Sequence, residues 1–168
     1  MKKPNKIAVL MGGPGEEREI SLQSGKAIQL ALEAIGYNVL GITMENKLGD
    51  IISDLHSVDL VFLGLHGSIG ENGTIQGFLE SLGLKYTGSD PLSSAICMDK
   101  NISKIIARDS KVNTPNWEIV TRGQTLNEDN SEFPLVIKPN DQGSTVGLTI
   151  VHDESELGSA LDLAFKYS

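Results

Sequence analysis

Residues 60–77, LVFLGLHGSIGENGTIQG, combine an apolar run with a glycine-rich loop. The run from Leu60 to Leu65 is short and continuous, which favours a strand buried on both faces of a parallel sheet. It stops at His66, and four glycines follow within the next eleven residues. The segment therefore predicts a buried strand whose end carries an imidazole and a flexible acidic loop.

Working outward from this strand, the first ninety residues alternate β-rich and amphipathic runs. This alternation predicts an α/β fold with a parallel sheet and crossover helices. The predicted strands are residues 6–11, 37–43 and 58–65. The predicted helices are residues 22–35, 48–55 and 74–82, followed by a short strand and turn in LKYTGSD, residues 84–90.

The pattern changes in the second half of the chain. Residues 91–110 have isoleucines at helical spacing and predict one long helix, with Cys97 as a small core residue. Residues 121–132 read as a loop. Beyond them, FPLVIKPN (133–140) and VGLTIV (146–151) predict two strands followed by a helix. We therefore expect two domains, residues 1–93 and an incomplete α+β unit, residues 94–168.

Composition excludes several classes of protein. The 168 residues are 39% hydrophobic with a net charge of -8, and they contain no basic run that would follow a nucleic-acid backbone. No apolar segment approaches the length of a membrane span, and the N-terminus lacks a targeting pattern. We expect a cytoplasmic protein that binds neither nucleic acid nor membrane.

The carboxyl ends of parallel strands meet at one edge of a sheet, so His66 and the loop GGPGEERE, residues 12–19, are predicted to be neighbours. The glycine spacing of that loop does not match the dinucleotide pattern G-x-G-x-x-G. Glu17 suits an ammonium group better than a phosphate. A solvated carboxylate at a helix N-terminus is an equally open interpretation of Glu17.

Three further features each have a structural alternative. His66 could bond only to the backbone at its strand end, and Lys100 could be a solvated helix charge. The segment KPNDQGSTVG, residues 138–147, places a lysine before a turn whose amides and hydroxyls would suit a polyphosphate. A plain hairpin turn is its alternative, and the P-loop pattern is absent.

Three segments together resemble one family. GGPGEEREISLQSG (12–25), LHGSIGENGTIQGFLESLGLKYTGSDPLSSAICMDK (65–100) and PLVIKPNDQGSTVGLTIV (134–151) are similar to the N-terminal half of D-alanine:D-alanine ligases of the ATP-grasp superfamily. The resemblance implies a Rossmann-like pre-ATP-grasp domain followed by the start of an ATP-grasp α+β domain.

The resemblance also implies roles for individual residues. Glu17 would meet the ammonium group of the first D-alanine, and His66 would lie beside its carboxylate. Lys100 and Lys138 would hold ATP phosphates. Ser144 would belong to the loop that covers the phosphates and would also be linked to Glu17 by hydrogen bonds. The loop residues are Gly143, Ser144, Thr145 and Val146.

The activity implied by the resemblance is ATP-dependent ligation of two D-alanines through an acyl phosphate, for peptidoglycan precursor and cell-wall synthesis. Magnesium is the implied cofactor besides ATP, with its ligands expected outside this chain and none assigned here. Family members imply a homodimer through the first domain and a missing C-terminal half, without which the chain is expected to be inactive. The alternatives are an ATP-grasp ligase that joins other amino acids and a non-catalytic binding module.

Overall fold

The computed structural model describes residues 4–124 and 132–167. The chain divides into two compact units, Met1–Ala95 and Ile96–Ser168, and each is described separately. Part of the loop predicted at residues 121–132 lies outside the described residues. No helix in the described ranges is long and apolar enough to cross a membrane.

The first unit contains a four-stranded sheet whose strands are all parallel. The strands are β1 (Lys6–Gly12), β2 (Asn38–Met44), β3 (Leu60–Leu63) and β4 (Lys85–Tyr86). Their order in the sheet is β2-β1-β3-β4, so the first strand lies between the second and third. The central strand β1 is almost entirely buried because both of its edges are paired. The predicted α/β fold with a parallel sheet is confirmed.

Helices connect these strands in the predicted order. The first helix, α1 (Arg18–Ala34), begins at Arg18 rather than at residue 22, and the loop after His66 contains a short helix that the glycine pattern did not predict. A 3-10 turn, Leu48–Ile51, precedes the short second helix. The helices up to residue 98 are α1 (Arg18–Ala34), α2 (Ile52–Leu55), α3 (Ser68–Glu71), α4 (Thr74–Ser81) and α5 (Pro91–Met98).

The helix α1 lies unusually close to the sheet. Ser21 is fully buried, and its hydroxyl accepts a hydrogen bond from the amide of Gly12 at 2.8 Å and donates to the carbonyl of Gly64 at 2.7 Å. One turn later, a Cβ atom on Gly25 would overlap the Cβ of Met11. A serine and a glycine on one helix face therefore fix α1 to the ends of β1 and β3.

The single long helix predicted over residues 91–110 is wrong. The chain forms α5 and then α6, Lys100–Asp109, separated at Asp99. Asp99 has an extended backbone, and its carboxylate accepts a hydrogen bond from the amide of Ile102 at 2.9 Å. Aspartate favours this capping geometry over the helix interior, and so it starts a new helix. Cys97, predicted in the core, is exposed near the end of α5.

The second unit also contains a two-stranded antiparallel sheet. Its strands are β5 (Leu135–Ile137) and β6 (Thr149–Val151), and a 3-10 turn, Glu154–Glu156, leads into helix α7, Leu157–Lys166. Val151, Ala160 and Ala164 are buried where α7 packs on the strands. On the other face Val136 and Ile150 are paired and both are more than half exposed. The predicted strand, strand, helix order is confirmed.

The close packing of α1 generates a stability prediction. Gly25→Ala would normally stabilise a helix by about 0.5–1 kcal/mol, but its methyl group would overlap Met11. Forcing an extra carbon into a close-packed interior costs about 1–3 kcal/mol. We therefore expect urea unfolding to give a free energy of unfolding about 1–2 kcal/mol below that of the parent chain.

Gly49→Ala is the matched control, because a Cβ atom there meets nothing within 4 Å and Gly49 belongs to the same unit. Its free energy of unfolding should change by less than about 0.5 kcal/mol. A Gly25→Ala variant as stable as the parent would show that α1 has room to move away from the sheet.

Candidate functional site

Two loops meet where β1 and β3 end. Leu10 of β1 pairs with Leu63 of β3, so the loop after Gly12 and the loop from His66 leave the same edge of the sheet. The side chain of Glu17 reaches across to the second loop, because a Cβ atom on Gly67 would overlap its carboxylate. The prediction that His66 and residues 12–17 lie at one edge is confirmed.

Glu17 occupies the position before α1, yet its side chain makes no capping hydrogen bond to the helix within residues 4–124. Its carboxylate instead lies against Gly67, whose backbone has a φ of 63°. A glycine is required here on two grounds, the left-handed backbone and the space taken by the carboxylate. The side chain of Glu17 therefore faces the second loop, and its role as a binding group stays a prediction.

His66 is held by side chains of two neighbouring helices. Its Nε2 lies 3.1 Å from the hydroxyl of Ser24 on α1, and its Nδ1 lies 3.9 Å from the carboxylate of Glu71 at the end of α3. The imidazole keeps 35% of its side-chain surface exposed. A partner on each nitrogen and a partly open ring are suited to binding, and a bond to the backbone alone does not describe this histidine.

A buried side chain of the next helix, α4, holds the loop that contains Glu71. Gln76 on α4 is 5% exposed, and its amide nitrogen donates to the carbonyl of Gly70 at 3.0 Å. The short helix α3 therefore has a defined position relative to His66. The glycines allow tight turns around this short helix, which the glycine-rich pattern did not predict.

Arg18 is the cation nearest to the first loop in sequence, and it is used to hold that loop. Its guanidinium donates to the carbonyls of Gly13 and Met44 and forms a 2.7 Å ion pair with Glu45. These contacts fix the loop after β1 to the end of β2.

In the second unit, Lys100 at the start of α6 is not a solvated charge. Its ammonium group donates to the carbonyls of Asn140 and Gln142. Burial lowers the pKa of Lys100 below its ordinary value, and the nearby charge of Lys138 lowers it further, while Asp141 and Asp99 act in the opposite direction. Burial and Lys138 also lower the pKa of Lys104.

Lys138 therefore lies within electrostatic reach of both Lys100 and Lys104. Lys104 donates to Thr114 and to the carbonyl of Pro115, both at 2.8 Å. Lys138 follows the end of β5 directly and is exposed. An anion placed beside Lys100 and Lys138 would relieve their mutual repulsion.

The segment after Lys138 is wider than a plain hairpin turn, since residues 138–148 separate the two strands. Ser144 and Thr145 have positive φ angles of 45° and 63°, which are uncommon for side chains larger than glycine and most costly for a branched one. The turn closes with hydrogen bonds from Val146 to Gly143 and from Leu148 to Thr145. Strained backbone of this kind is concentrated at binding sites.

Sequence reasoning missed two residues that organise these sites. Asn140 accepts hydrogen bonds at its side chain from the amide of Asn101 and at its carbonyl from Lys100, which joins the turn to α6. Ser24 contacts His66. Ser21, Ser24 and Gly25 share one face of α1, but the predicted helix began at residue 22 and gave no indication of what that face would meet.

Magnesium was expected from the family resemblance, with ligands outside this chain. Across the described ranges, no three or more histidine, cysteine, aspartate or glutamate side chains converge in a way that could hold a metal ion. Two carboxylates near the first site have other neighbours, since Glu71 lies beside His66 and Glu45 pairs with Arg18. These residues therefore do not fit a magnesium site.

Two family models match the chain. The model described as D-ala D-ala ligase N-terminus matches residues 45–89, and the one described as D-ala D-ala ligase C-terminus matches residues 106–168. Together they cover more than half of the sequence. Both models describe domains of the same enzyme family, and the N-terminal model matches before the C-terminal one along this chain.

Among the curated relatives are D-alanine–D-alanine ligases of Bacillus anthracis and Aquifex aeolicus. The first is 45% identical over 165 residues, covering 96% of this chain and 54% of the relative. The second is 44% identical over 163 residues, covering 96% of this chain and 56% of the relative. The chain therefore spans about half the length of the curated relatives it matches.

Solved structures agree with these matches. A crystal structure of the Bacillus anthracis ligase superimposes with a TM-score of 0.88 at 44% identity, covering 97% of this chain and 54% of that one. A second structure of that ligase, complexed with ATP, gives a TM-score of 0.86 at 43% identity, covering 97% and 55%. With both family models matched in order and the fold shared throughout, the chain belongs to the D-alanine–D-alanine ligase family.

Proposed function

We propose that this chain contributes the first amino-acid site and part of the ATP site to a ligase that joins two D-alanines. The observation that carries the proposal is the meeting of Glu17 and His66 at one sheet edge, with the carboxylate of Glu17 against Gly67. A free amino acid has a positive and a negative end. An acid and an imidazole N–H on adjacent loops complement both ends.

The ATP phosphates are proposed to bind in the second unit. Lys100 and Lys138 supply positive charge, and the turn formed by Gly143, Ser144, Thr145 and Val146 supplies amides and hydroxyls to cover the phosphates. The two carbonyl bonds of Lys100 support this role, because they fix its ammonium group beside the turn. The structure of a relative complexed with ATP adds support. Hydrogen bonding between Ser144 and Glu17 stays a prediction.

The proposed reaction makes a carboxylate reactive by phosphorylating it. An oxygen of the first D-alanine's carboxylate attacks the γ-phosphorus of ATP, and ADP leaves. The amine of the second D-alanine then attacks the carbonyl carbon of the acyl phosphate, and inorganic phosphate leaves with the C–O bond electrons. Lysines and amides stabilise the transferring phosphoryl group, since positioning and electrostatics supply most of the catalysis of such steps.

Within this scheme each side chain has a defined task. Glu17 orients the ammonium group of the first D-alanine, and His66 donates an N–H to its carboxylate. Lys100 and Lys138 hold the phosphoryl group that the carboxylate attacks. Magnesium would supply further charge neutralisation when bound, but the described residues provide no site for it. A cytoplasmic role in peptidoglycan synthesis and a homodimer through the first unit belong to the same proposal.

The role of Glu17 predicts a selective loss of substrate affinity. In a form of the protein extended to the length of its relatives, Glu17→Gln keeps the shape but removes the charge. Losing a charge-assisted bond costs about 1.5–3 kcal/mol, which raises the apparent dissociation constant for the first D-alanine by about ten- to over a hundredfold. Steady-state kinetics with D-alanine as the varied substrate measures this change.

Glu16→Gln is the matched control, because Glu16 is the exposed neighbour of Glu17 in the same loop and carries the same charge. It should leave the D-alanine dependence unchanged, and both variants should retain the ATP dependence of the parent. If Glu17→Gln lowers the melting temperature and leaves the D-alanine dependence alone, Glu17 is a structural residue.

The chain of 168 residues by itself is expected not to ligate. The proposed reaction would draw on magnesium for charge neutralisation, and the described residues offer no cluster of ligands for it. Phosphate release with ATP, magnesium and D-alanine should stay at the background rate. Turnover comparable to that of the extended form would show that these residues suffice for catalysis.

A further inference from the structure

Ser24 has no role in the scheme above, yet it is the direct neighbour of His66. It lies one turn after Ser21, which is anchored to the ends of β1 and β3 by two hydrogen bonds. This anchor places the Ser24 hydroxyl 3.1 Å from Nε2 of His66. Both side chains are partly buried, so solvent competes only in part for this hydrogen bond.

The other ring nitrogen faces a charge. Nδ1 of His66 lies 3.9 Å from a carboxylate oxygen of Glu71. A carboxylate has only lone pairs to offer, so it favours a proton on Nδ1 over a lone pair there. In a neutral imidazole with its proton on Nδ1, Nε2 is an acceptor. The Ser24 hydroxyl is able to donate to it, and the two neighbours thus favour the same tautomer.

We propose that Ser24 is a positioning residue that holds His66 as the Nδ1–H tautomer. The hydrogen bond occupies Nε2 on the side of α1 and leaves Nδ1–H as the ring's donor for an anionic group. That the group is the carboxylate of an amino-acid substrate rests on the proposed function. The tautomer itself rests only on the contacts of Ser24 and Glu71 within the first unit.

The competing arrangement is specific. A helical serine can donate its proton to the carbonyl four residues earlier, which would leave Oγ to accept from an Nε2–H of His66. That arrangement would turn the Nδ1 lone pair toward the Glu71 carboxylate, and two lone pairs repel. Ser24 would then be an ordinary helix residue beside the ring, and its removal would leave the tautomer unchanged.

Nitrogen-15 NMR of the histidine side chains separates these cases in the 168-residue chain, without substrate. On the alkaline plateau of the titration the ring is neutral, and the chemical shifts of Nδ1 and Nε2 report which nitrogen carries the proton. In the parent chain we expect Nδ1–H to be the majority form at His66. Ser24→Ala should lower the fraction of Nδ1–H, with Glu71 still favouring it, and Ser24→Thr, which retains a hydroxyl, should restore the parent fraction.

Ser81→Ala is the matched control, because the hydroxyl of Ser81 is exposed and bonds to the helix carbonyl of Phe78. It should leave the His66 tautomer as in the parent. Unchanged spectra of His56 and His152 check that each variant is folded. An Nε2–H majority in the parent chain, or a tautomer that Ser24→Ala does not move, overturns the proposal.

This experiment and the ligation assay fail independently. The tautomer is measured with neither ATP nor D-alanine present, so a failed ligase activity would leave the role of Ser24 intact. In the extended form, Ser24→Ala should raise the KM for the first D-alanine about tenfold, the equivalent of one neutral hydrogen bond, with a smaller effect on kcat. A loss of kcat alone would contradict a positioning role on substrate binding.

Discussion

The close packing of α1 on the parallel sheet is the constraint on which the first unit depends. Ser21 bonds to β1 and to the end of β3 at once, and Gly25 allows the helix backbone to approach Met11. The same contact fixes the start of α1, where Glu17 lies, and the face on which Ser24 meets His66. If α1 moved away from the sheet, the contacts of Ser21, Ser24 and Glu17 would be lost together.

The second unit brings Lys100 and Lys138 close together and partly buries the ammonium group of Lys100. Lys100 loses hydration and lies within reach of the charge on Lys138, and both effects lower its pKa. Carbonyl oxygens from the turn compensate in part, since they accept hydrogen bonds from its ammonium group. The left-handed Ser144 and Thr145 add backbone strain to the same turn. A bound anion would offset the repulsion between Lys100 and Lys138.

The sequence predicted the features that depend on periodicity and on topology. Apolar runs located the strands, and the parallel order placed His66 beside the loop that contains Glu17 before any distance was known. The sequence-based predictions were wrong where a short segment could adopt either of two local structures. Asp99 interrupts a helical pattern because its side chain caps the next helix, and residues 68–71 form a helix despite two flanking glycines.

The sequence did not predict which residues the polar side chains contact in the folded protein. The helical spacing of Ser24 and the position of Asn140 in a loop were both visible, but their contacts with His66 and Lys100 depend on how elements pack. The prediction that Cys97 lies in the core was wrong for the same reason. Helical spacing shows which residues share a face but not whether another element covers that face. Strand order predicted which loops lie together, whereas individual hydrogen bonds depend on how the elements pack and could be identified only in the structure.

The most direct measurement is a crystal structure of a form extended to the length of its relatives, with D-alanine and a non-hydrolysable ATP analogue bound. The account predicts the D-alanine ammonium nitrogen at about 3 Å from the Glu17 carboxylate, with the substrate carboxylate accepting a hydrogen bond from Nδ1 of His66. D-alanine bound elsewhere, with water or other protein groups filling the space between Glu17 and His66, would contradict it.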